Sequence, residues 1–348
     1  MRDSVVLTLA AAPLVAATWA LRLACESEEI HPTPRQQSGG EGVCHGYLAH
    51  PTLTLHAMVF GTYVLGFWAH SLVAGSTWLL DAARPLLPLS IQLYYLSHPR
   101  AVHSERMVVG AALIIMWALR LFRAHGRRYQ WALSAREDWR RADLREAFDR
   151  WWPAASLPVA FIAEQGAACA RCLPLRSLAG FAGAGVPLLP SFEETDDVVA
   201  LESPTLGLAD AGALVVALFG LALAFKADEE LLTYIRSADK TKPPVYAEGL
   251  WRLSRHPNRL GEHLWWLALG AAACCANGGF CPTALGPLIV CFGDASVDIP
   301  LLDRHVAMRR ERIKAWMAYA ERVPALWPTP GSVLRFFKPS ATEAKKGE

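Results

Sequence analysis

The side chains best suited to binding chemistry are concentrated in residues 249–262, which read GLWRLSRHPNRLGE. Asn258 and Glu262 are four positions apart, so on a helix they would face the same side. Together with Asp228 they offer amide and carboxylate groups suited to the ribose hydroxyls and carboxamide of a nicotinamide nucleotide. An apolar stretch begins at Leu264, and ionisable groups at a membrane boundary are costly to leave idle. The sequence therefore predicts a nucleotide site where a helix enters the bilayer.

Arginines form the second group of candidate ligands. A guanidinium group grips phosphate oxygens through two hydrogen bonds and stays charged under ordinary conditions. The chain has no G-x-G-x-x-G turn, so the phosphates of a dinucleotide would have to be held by such side chains. For any single arginine, the tendency of basic residues to stay on the cytoplasmic side of a membrane is an alternative explanation. The candidate phosphate ligands are Arg120, Arg145, Arg236, Arg304 and Arg309.

An acid inside the membrane region could donate a proton to the carbonyl oxygen of a bound substrate. Asp81 is one candidate, although Arg84 lies three residues on and could be its structural partner on the same helical face. Tyr94 and Tyr95 also lie near a predicted boundary. Either could donate a proton, but tyrosine is also common there as an interfacial anchor. The candidate catalytic residues are Asp81 and Tyr95.

Long apolar stretches must position these groups, because the chain is 53% hydrophobic and contains 13 Trp. That composition is too apolar for an ordinary soluble domain, and a helix needs roughly 20 residues to cross the hydrocarbon. We therefore predict an all-α, multi-pass transmembrane helical bundle with about 7–9 membrane segments. The longest predicted segments are 5–24, 53–73, 107–122, 206–225 and 284–302, and the interrupted ones are 83–97, 153–163, 178–190 and 263–277.

Charge predicts the orientation of the bundle. Nine Arg lie between Arg120 and Arg150, and from Asp303 to the end ten Lys or Arg face five acids. Both regions are expected on the cytoplasmic side. The first apolar run favours a retained signal anchor over a cleaved signal peptide, because it is long for the latter. Lys345 and Lys346 near the C-terminus fit a dilysine signal for the endoplasmic reticulum, although two such lysines also arise by chance.

Four blocks of the chain, in order, resemble the steroid 5-alpha-reductase family in its broad branch of reductase-like membrane proteins, including those of the DUF1295 type. The segment 249–262 matches the pattern G-L-W-x-Y-S-R-H-P-N-Y-F-G-E. The other blocks resemble W-x-x-R-L with E-D-W-R-Y-x-x-x-R, A-D-x-Q with a downstream Arg, and P-L-L-E with a terminal aromatic segment. In chain order, the first block is Trp117 to Arg120 with Glu137 to Arg145 and the second is Ala227 to Arg236. The third is the segment 249–262, and the fourth is Pro300 to Asp303 with Tyr319 to Pro328.

The resemblance implies an oxidoreductase that uses NADPH to reduce a carbon–carbon double bond of a lipophilic substrate, such as a steroid, sterol, polyprenol or fatty-acyl enone. It places Trp139, Arg255 and His256 with Asp228, Asn258 and Glu262 among the cofactor-binding residues. It divides the chain into N-terminal helices (1–100), a reductase-like domain (101–338) and a polar tail (339–348). The expected partners are the lipophilic substrate, which enters sideways from the bilayer, and membrane lipids. No nucleic acid is expected, and the oligomeric state stays open.

Departures from the family pattern keep two alternatives open. Arg259-Leu260 replaces an aromatic pair and Leu253 replaces a common Tyr. The related isoprenylcysteine methyltransferases share an R-H-P block that holds S-adenosylmethionine, but they lack the E-D-W-R block. A non-catalytic membrane protein that keeps the fold is the other alternative. Cys169 and Cys172 form a lone CxxC, which is weak evidence for a metal, and no metal site is predicted.

Overall fold

The computed structural model describes residues 2–30, 42–135, 137–181, 205–237, 242–308 and 312–337. In these residues the chain forms helices and no strands, so the prediction of an all-α fold is confirmed. The α-helices, numbered in chain order, are α1 Arg2–Ile30, α2 Val43–Ala49, α3 Pro51–Val59, α4 Phe67–Ala74, α5 Trp78–Ala83, α6 Leu86–Ser97, α7 Glu105–Arg128, α8 Trp139–Phe148, α9 Trp152–Ser156, α10 Ala163–Leu178, α11 Leu208–Arg236, α12 Pro257–Ala276, α13 Leu285–Gly293, α14 Ile299–Ala307, α15 Ile313–Ala320 and α16 Pro330–Phe336.

Five helical stretches of the described residues are long and apolar enough to cross a bilayer, and they agree with the five long segments predicted from sequence. The chain is an integral membrane protein. The spans are Val6–Cys25, Pro51–Ala74, Glu105–Arg128, Leu208–Arg236 and Pro282–Ala307.

The interrupted segments have mixed outcomes. Segments 83–97 and 263–277 lie largely within α6 and α12. Segment 153–163 lies within helical structure that runs from Trp152 to Leu178 without a break, and segment 178–190 begins where this structure ends. Pro158 is accommodated in a π-helical turn, and the polar side chain of Glu164 is paired with Arg141 inside the fold. Residues 182–190 lie outside the described residues.

Three π-helical turns continue α-helices within the apolar stretches, and single π turns of this kind often occur at functional sites. Phe60–Gly66 joins α3 to α4, and Leu157–Ile162 joins α9 to α10. The third, Asp294–Asp298, joins α13 to α14 and begins with a buried acid.

The chain divides into two compact units. The first unit comprises Met1–Asp210 with Leu269–Pro287, and the second comprises Ala211–Ala268 with Leu288–Glu348. The domain boundary predicted near residue 100 falls inside the first unit.

Two cross-links stabilise the first unit. Cys25 at the end of α1 forms a disulfide with Cys44 in α2, a bond that the scattered cysteines of the sequence did not suggest. Arg106 in α7 pairs with Asp210 at the start of α11 through two nitrogen–oxygen contacts of 2.7 Å each. Both side chains are largely buried, so the pair neutralises a cation that would otherwise be costly there. Cys169 and Cys172 are free thiols.

The second unit is built on a close approach of α11 and α12. Leu223, Leu260, Ile299 and Leu326 form its main apolar cluster. At the helix crossing two glycines face each other, because a Cβ built at Gly261 would lie 2.4 Å from the backbone oxygen of Gly220. Small residues let helices approach closely within a membrane, and this contact fixes the depth of α12 against α11.

We expect Gly261→Ala to lower the free energy of unfolding by about 1–3 kcal/mol, because the added methyl group forces the two helices apart. Gly212→Ala on α11 is the matched control, since no atom lies within 4 Å of a Cβ built there. The control should be neutral or gain up to about 1 kcal/mol from helix propensity. Thermal unfolding of the detergent-purified chain measures both, and equal stability of the two variants would contradict the close packing.

Candidate functional site

A sharp turn opens the 249–262 segment. Gly249 adopts a φ of +54°, in the left-handed region that favours glycine, and a Cβ built there would lie 2.5 Å from the Glu230 carboxylate. That carboxylate accepts a hydrogen bond from the backbone N–H of Leu250, at 3.0 Å. After a 3₁₀ turn at Gly249–Arg252, α12 begins at Pro257, a residue favoured at the first helical position. The segment is therefore fixed in place by α11.

Asp228, Asn258 and Glu262 are brought to the same part of the second unit. The Nδ2 of Asn258 donates a hydrogen bond to Oδ1 of Asp228 at 3.0 Å, and its Oδ1 accepts from the backbone N–H of Arg259 at 2.9 Å. Glu262 follows one helical turn after Asn258, as predicted, because both lie on α12. All three polar side chains are half-buried, so each retains access to a ligand.

Arg255 and His256 point into the protein, where Asp303 of α14 holds both. Nη2 of Arg255 lies 2.7 Å from Oδ2 of Asp303, and Nε2 of His256 lies 2.7 Å from Oδ1 of the same carboxylate. Nη1 of Arg255 also donates to the carbonyls of Ala320 and Val323, at 3.0 and 3.3 Å. The hydrogen bonds of Arg255 and His256 hold the motif to the C-terminal segment. The predicted contact of these two residues with a cofactor stays a prediction.

The terminal aromatic block packs behind the motif. The hydroxyl of Tyr319 donates to the carbonyl of Trp251 at 2.6 Å, and the backbone N–H of Arg255 donates to the carbonyl of Pro324 at 2.9 Å. Trp251 in turn donates from Nε1 to the carbonyl of Ala227, at 3.3 Å. The blocks at 227–236, 249–262 and 300–328 are thus connected by hydrogen bonds.

The predicted phosphate ligands of the second unit have different positions. Arg236 at the end of α11 and Arg304 in α14 are solvent-exposed. Exposed guanidinium groups beside the motif are suited to phosphate contacts. Arg309 lies outside the described residues.

In the first unit, Asp81 belongs to a network of charged side chains. Arg141 of α8 is buried and forms salt bridges with Asp81 of α5 and with Glu164 of α10. Its Nε donates to the hydroxyl of Thr77 at 2.7 Å. Arg84 also approaches Asp81, with 3.5 Å between Nη2 and Oδ1, as the structural alternative predicted. Burial raises the pKa of the Asp81 carboxyl, and the charges of Arg141 and Arg84 oppose that rise.

The E-D-W-R block organises the start of α8. Asp138 caps the helix, because its Oδ1 accepts from the backbone N–H of Arg140 at 2.9 Å. Oε1 of Glu137 accepts from the backbone N–H of Thr77 at 2.9 Å and from Nη2 of Arg145 at 2.7 Å. Trp139 is half-buried and carries the Arg140 guanidinium 5.3 Å from its ring centroid. The block therefore ties α8 to the turn before α5.

The remaining predicted residues are buried in the first unit. The hydroxyl of Tyr94 donates to the carbonyl of Pro51 at 2.7 Å. Tyr95 packs its ring against Phe181, with centroids 5.7 Å apart. Arg120 is buried on α7, and its predicted contact with a phosphate stays a prediction.

One acid–base pair was missed by the sequence reading. His263 of α12 and Asp294 of the third π turn are both buried, with 3.5 Å between Nε2 and Oδ2. The signal was available, since Asp294 is an acid inside the predicted segment 284–302, and an intramembrane ionisable residue is by default a functional candidate. His263 directly follows Glu262, so this pair lies in the same unit as the candidate cofactor ligands.

Comparison with known proteins agrees with this architecture. A family model described as a protein of unknown function (DUF1295) matches residues 67–323. An uncharacterized protein of Schizosaccharomyces pombe is 27% identical over 229 residues, which cover 60% of this chain and 61% of the relative. The chain thus aligns with about three-fifths of that relative's length. No solved structure matches the chain. The family match covers the first three blocks in chain order and the fourth as far as residue 323, and the chain belongs to the DUF1295 family of steroid 5-alpha-reductase-like membrane proteins.

Proposed function

We propose that this protein is an NADPH-dependent oxidoreductase that reduces a carbon–carbon double bond of a lipophilic substrate. The observation that carries the proposal is the cluster of Asp228, Asn258 and Glu262, in which the Asn258 amide is oriented by Asp228 at 3.0 Å. A pre-oriented amide with two half-buried carboxylates suits the hydroxyl and carboxamide groups of a nicotinamide nucleotide. Family membership supports the same class of reaction.

Within this proposal the second unit provides both cofactor contacts and a proton. Asn258 and Glu262 orient the nicotinamide end, and the exposed Arg236 and Arg304 contact phosphates. When bound, NADPH supplies the hydride. His263 and Asp294 hold a proton in the buried part of the unit and deliver it to the carbonyl oxygen of the substrate, where negative charge develops as the double bond accepts the hydride. Arg255, His256 and Asp303 position the motif.

Asp81 and Tyr95 stay candidates for the proton donor, but their surroundings favour other roles. Asp81 faces two arginines, and the buried Arg141 is paired with its carboxyl group. We therefore propose a positioning role for Asp81 in the network around Arg141.

We also propose the endoplasmic reticulum as the site of action, with the C-terminus in the cytoplasm. Oδ2 of Asp3 accepts hydrogen bonds from the backbone N–H and the hydroxyl of Ser134, each at 2.9 Å, so the start of α1 lies beside the arginine-rich region. A disulfide at the other end of α1 supports an oxidising compartment on the opposite side of the membrane. The dilysine residues that suggested this address lie outside the described residues.

The test is cofactor binding to the detergent-purified full chain, followed by thermal unfolding with NADPH, NADH or S-adenosylmethionine. We expect NADPH to raise the apparent stability by about 2.7 kcal/mol when its concentration is 100 times its Kd. Asn258→Ala and Glu262→Gln should each weaken NADPH at least about tenfold, which corresponds to about 1.4 kcal/mol. Glu248→Gln, an exposed acid of the same region, is the matched control and should bind NADPH normally.

Other outcomes assign the protein elsewhere. Stabilisation by S-adenosylmethionine alone would move it to the methyltransferases. If none of the three cofactors changes the unfolding temperature, the non-catalytic alternative would be favoured. Equal NADPH binding by Glu262→Gln and Glu248→Gln would remove Glu262 from the site.

A further inference from the structure

Arg176 is a buried cation that has no counter-charge in the described part of the chain. It lies near the end of α10 and is only 7% exposed. The structure gives its guanidinium no hydrogen bond to any described residue, and its Nε is sealed from solvent. Arginine stays protonated in proteins, so burial does not remove the charge.

Two other arginines buried in the same unit, Arg106 and Arg141, are each paired with a carboxylate. Arg106 has the carboxylate of Asp210 at 2.7 Å, and Arg141 has those of Asp81 and Glu164. An isolated buried ion loses several kcal/mol of hydration free energy, which only an anion with hydrogen-bonding oxygens restores well. Arg176 therefore needs an anionic partner that the described residues do not supply.

The surroundings of Arg176 specify the chemistry of that partner. The phenol ring of Tyr95 packs against Phe181, whose backbone N–H donates to the carbonyl of Arg176 at 3.2 Å. The buried Oγ1 of Thr52 has no hydrogen-bond partner among the described residues, so two hydroxyl groups of this unit are available as donors. The neighbouring side chains of Leu175, Leu178 and Phe181 are apolar and buried. A guanidinium group and two hydroxyl groups, surrounded by apolar side chains, suit a ligand that has one anionic group and is otherwise apolar.

We propose that Arg176 binds the anionic head group of a lipid, a carboxylate or a phosphate, with Tyr95 and Thr52 as supporting donors. In an integral membrane protein, such molecules are the abundant ligands, and basic pockets between membrane helices hold lipid head groups. The site lies in the first unit and does not depend on the proposed reductase activity. It gives Tyr95 a binding role that the sequence reading did not consider.

The test is thermal unfolding of the full chain in a neutral detergent, with a matched set of added lipids. Oleate and dioleoyl phosphatidate carry the two anionic groups, and oleyl alcohol and dioleoylglycerol are their neutral counterparts. We expect the anionic lipids to raise the Tm of the natural protein by at least about 2 °C at saturation, and the neutral ones to leave it unchanged. Inorganic phosphate separates a lipid site from a general anion site.

Arg176→Met and Arg176→Lys test the residue, and Arg171→Met on the same helix is the matched control. Arg176→Met should lose the lipid-induced shift and should be at least as stable as the natural protein without lipid, because a methionine carries no buried charge. Arg176→Lys, which keeps the charge but loses the fork, should retain part of the shift, and Arg171→Met should retain all of it.

Four results would overturn the assignment. The first is an equal shift in Arg176→Met, and the second is no shift of the natural protein with either anionic lipid. The third is a shift with inorganic phosphate as large as with phosphatidate, which would exclude a lipid-specific site. The fourth is a loss of stability in Arg176→Met without lipid as large as in Arg106→Met, which would mean that the chain itself supplies the counter-charge.

Discussion

Replacing Arg141 by methionine is expected to lower the free energy of unfolding by about 3 kcal/mol, because two carboxylates then lose the cation between them. Arg141 is 3% exposed, and its partners Asp81 and Glu164 are 15% and 35% exposed. Loss of one member of a buried ion pair is more damaging than loss of both, since the remaining charge stays without compensation. Thermal or denaturant unfolding of the purified chain measures the effect.

The same variant should show a characteristic pH dependence. Burial already raises the pKa of the Asp81 carboxyl, and removal of the Arg141 charge that opposes it raises the pKa further. The native state then binds a proton more readily than the unfolded state, so stability rises as the pH falls. We expect the deficit of Arg141→Met relative to the natural protein to shrink as the pH falls towards the raised pKa of Asp81.

Arg140→Met is the control for this prediction, since it removes the same charge at the next position. Arg140 is half-buried and pairs with Asp138 at 3.3 Å on the surface of α8. Such a pair contributes about 0–1 kcal/mol. A second variant, Asp81→Asn combined with Arg141→Met, should recover part of the loss. Equal stability of Arg140→Met and Arg141→Met would contradict the view that Arg141 is the centre of the network.

Sequence reading predicted the membrane helices well because their signal is local. Length and apolar composition alone decide whether a helix can cross a bilayer, so all five long spans were located, although the helix predicted to end at residue 225 continues to Arg236. The extent of the helix that follows segment 153–163 was not predicted, because Glu164 interrupts the apolar pattern there. No local rule reveals that a charge is neutralised by Arg141, a residue of another helix.

The candidate site was predicted in part for a similar reason. The spacing of Asn258 and Glu262 fixes their common side on α12, but the hydrogen bond to Asp228 depends on how α11 packs against it. Arg255 and His256 were predicted to bind a cofactor, because the sequence shows only that their side chains can donate hydrogen bonds and not which group accepts them. Their acceptor, Asp303, follows 47 positions after His256 and is brought near only by the fold.

Asn substitution at Asp294 is expected to separate catalysis from cofactor binding, if the proposed reductase activity is correct. Asp294 and His263 are 3.5 Å apart, buried, and placed on the helices that carry the candidate nicotinamide ligands and the third π turn. Loss of a general acid typically costs about 10²–10⁴-fold in kcat. Asp294→Asn keeps the shape of the side chain, so NADPH affinity should not change.

The measurement is NADPH oxidation with a panel of lipophilic enones, among them a 4-en-3-one steroid and a polyprenal, using the best substrate of the natural protein. Asp298→Asn, one helical turn further in the same π segment, is the matched control and should keep normal turnover. A similar loss of turnover in both variants, or a parallel loss of NADPH affinity in Asp294→Asn, would mean that Asp294 supports the packing of the second unit. A selective loss of kcat would instead assign the proton to a buried pair whose His263 lies on the same helix as Asn258 and Glu262.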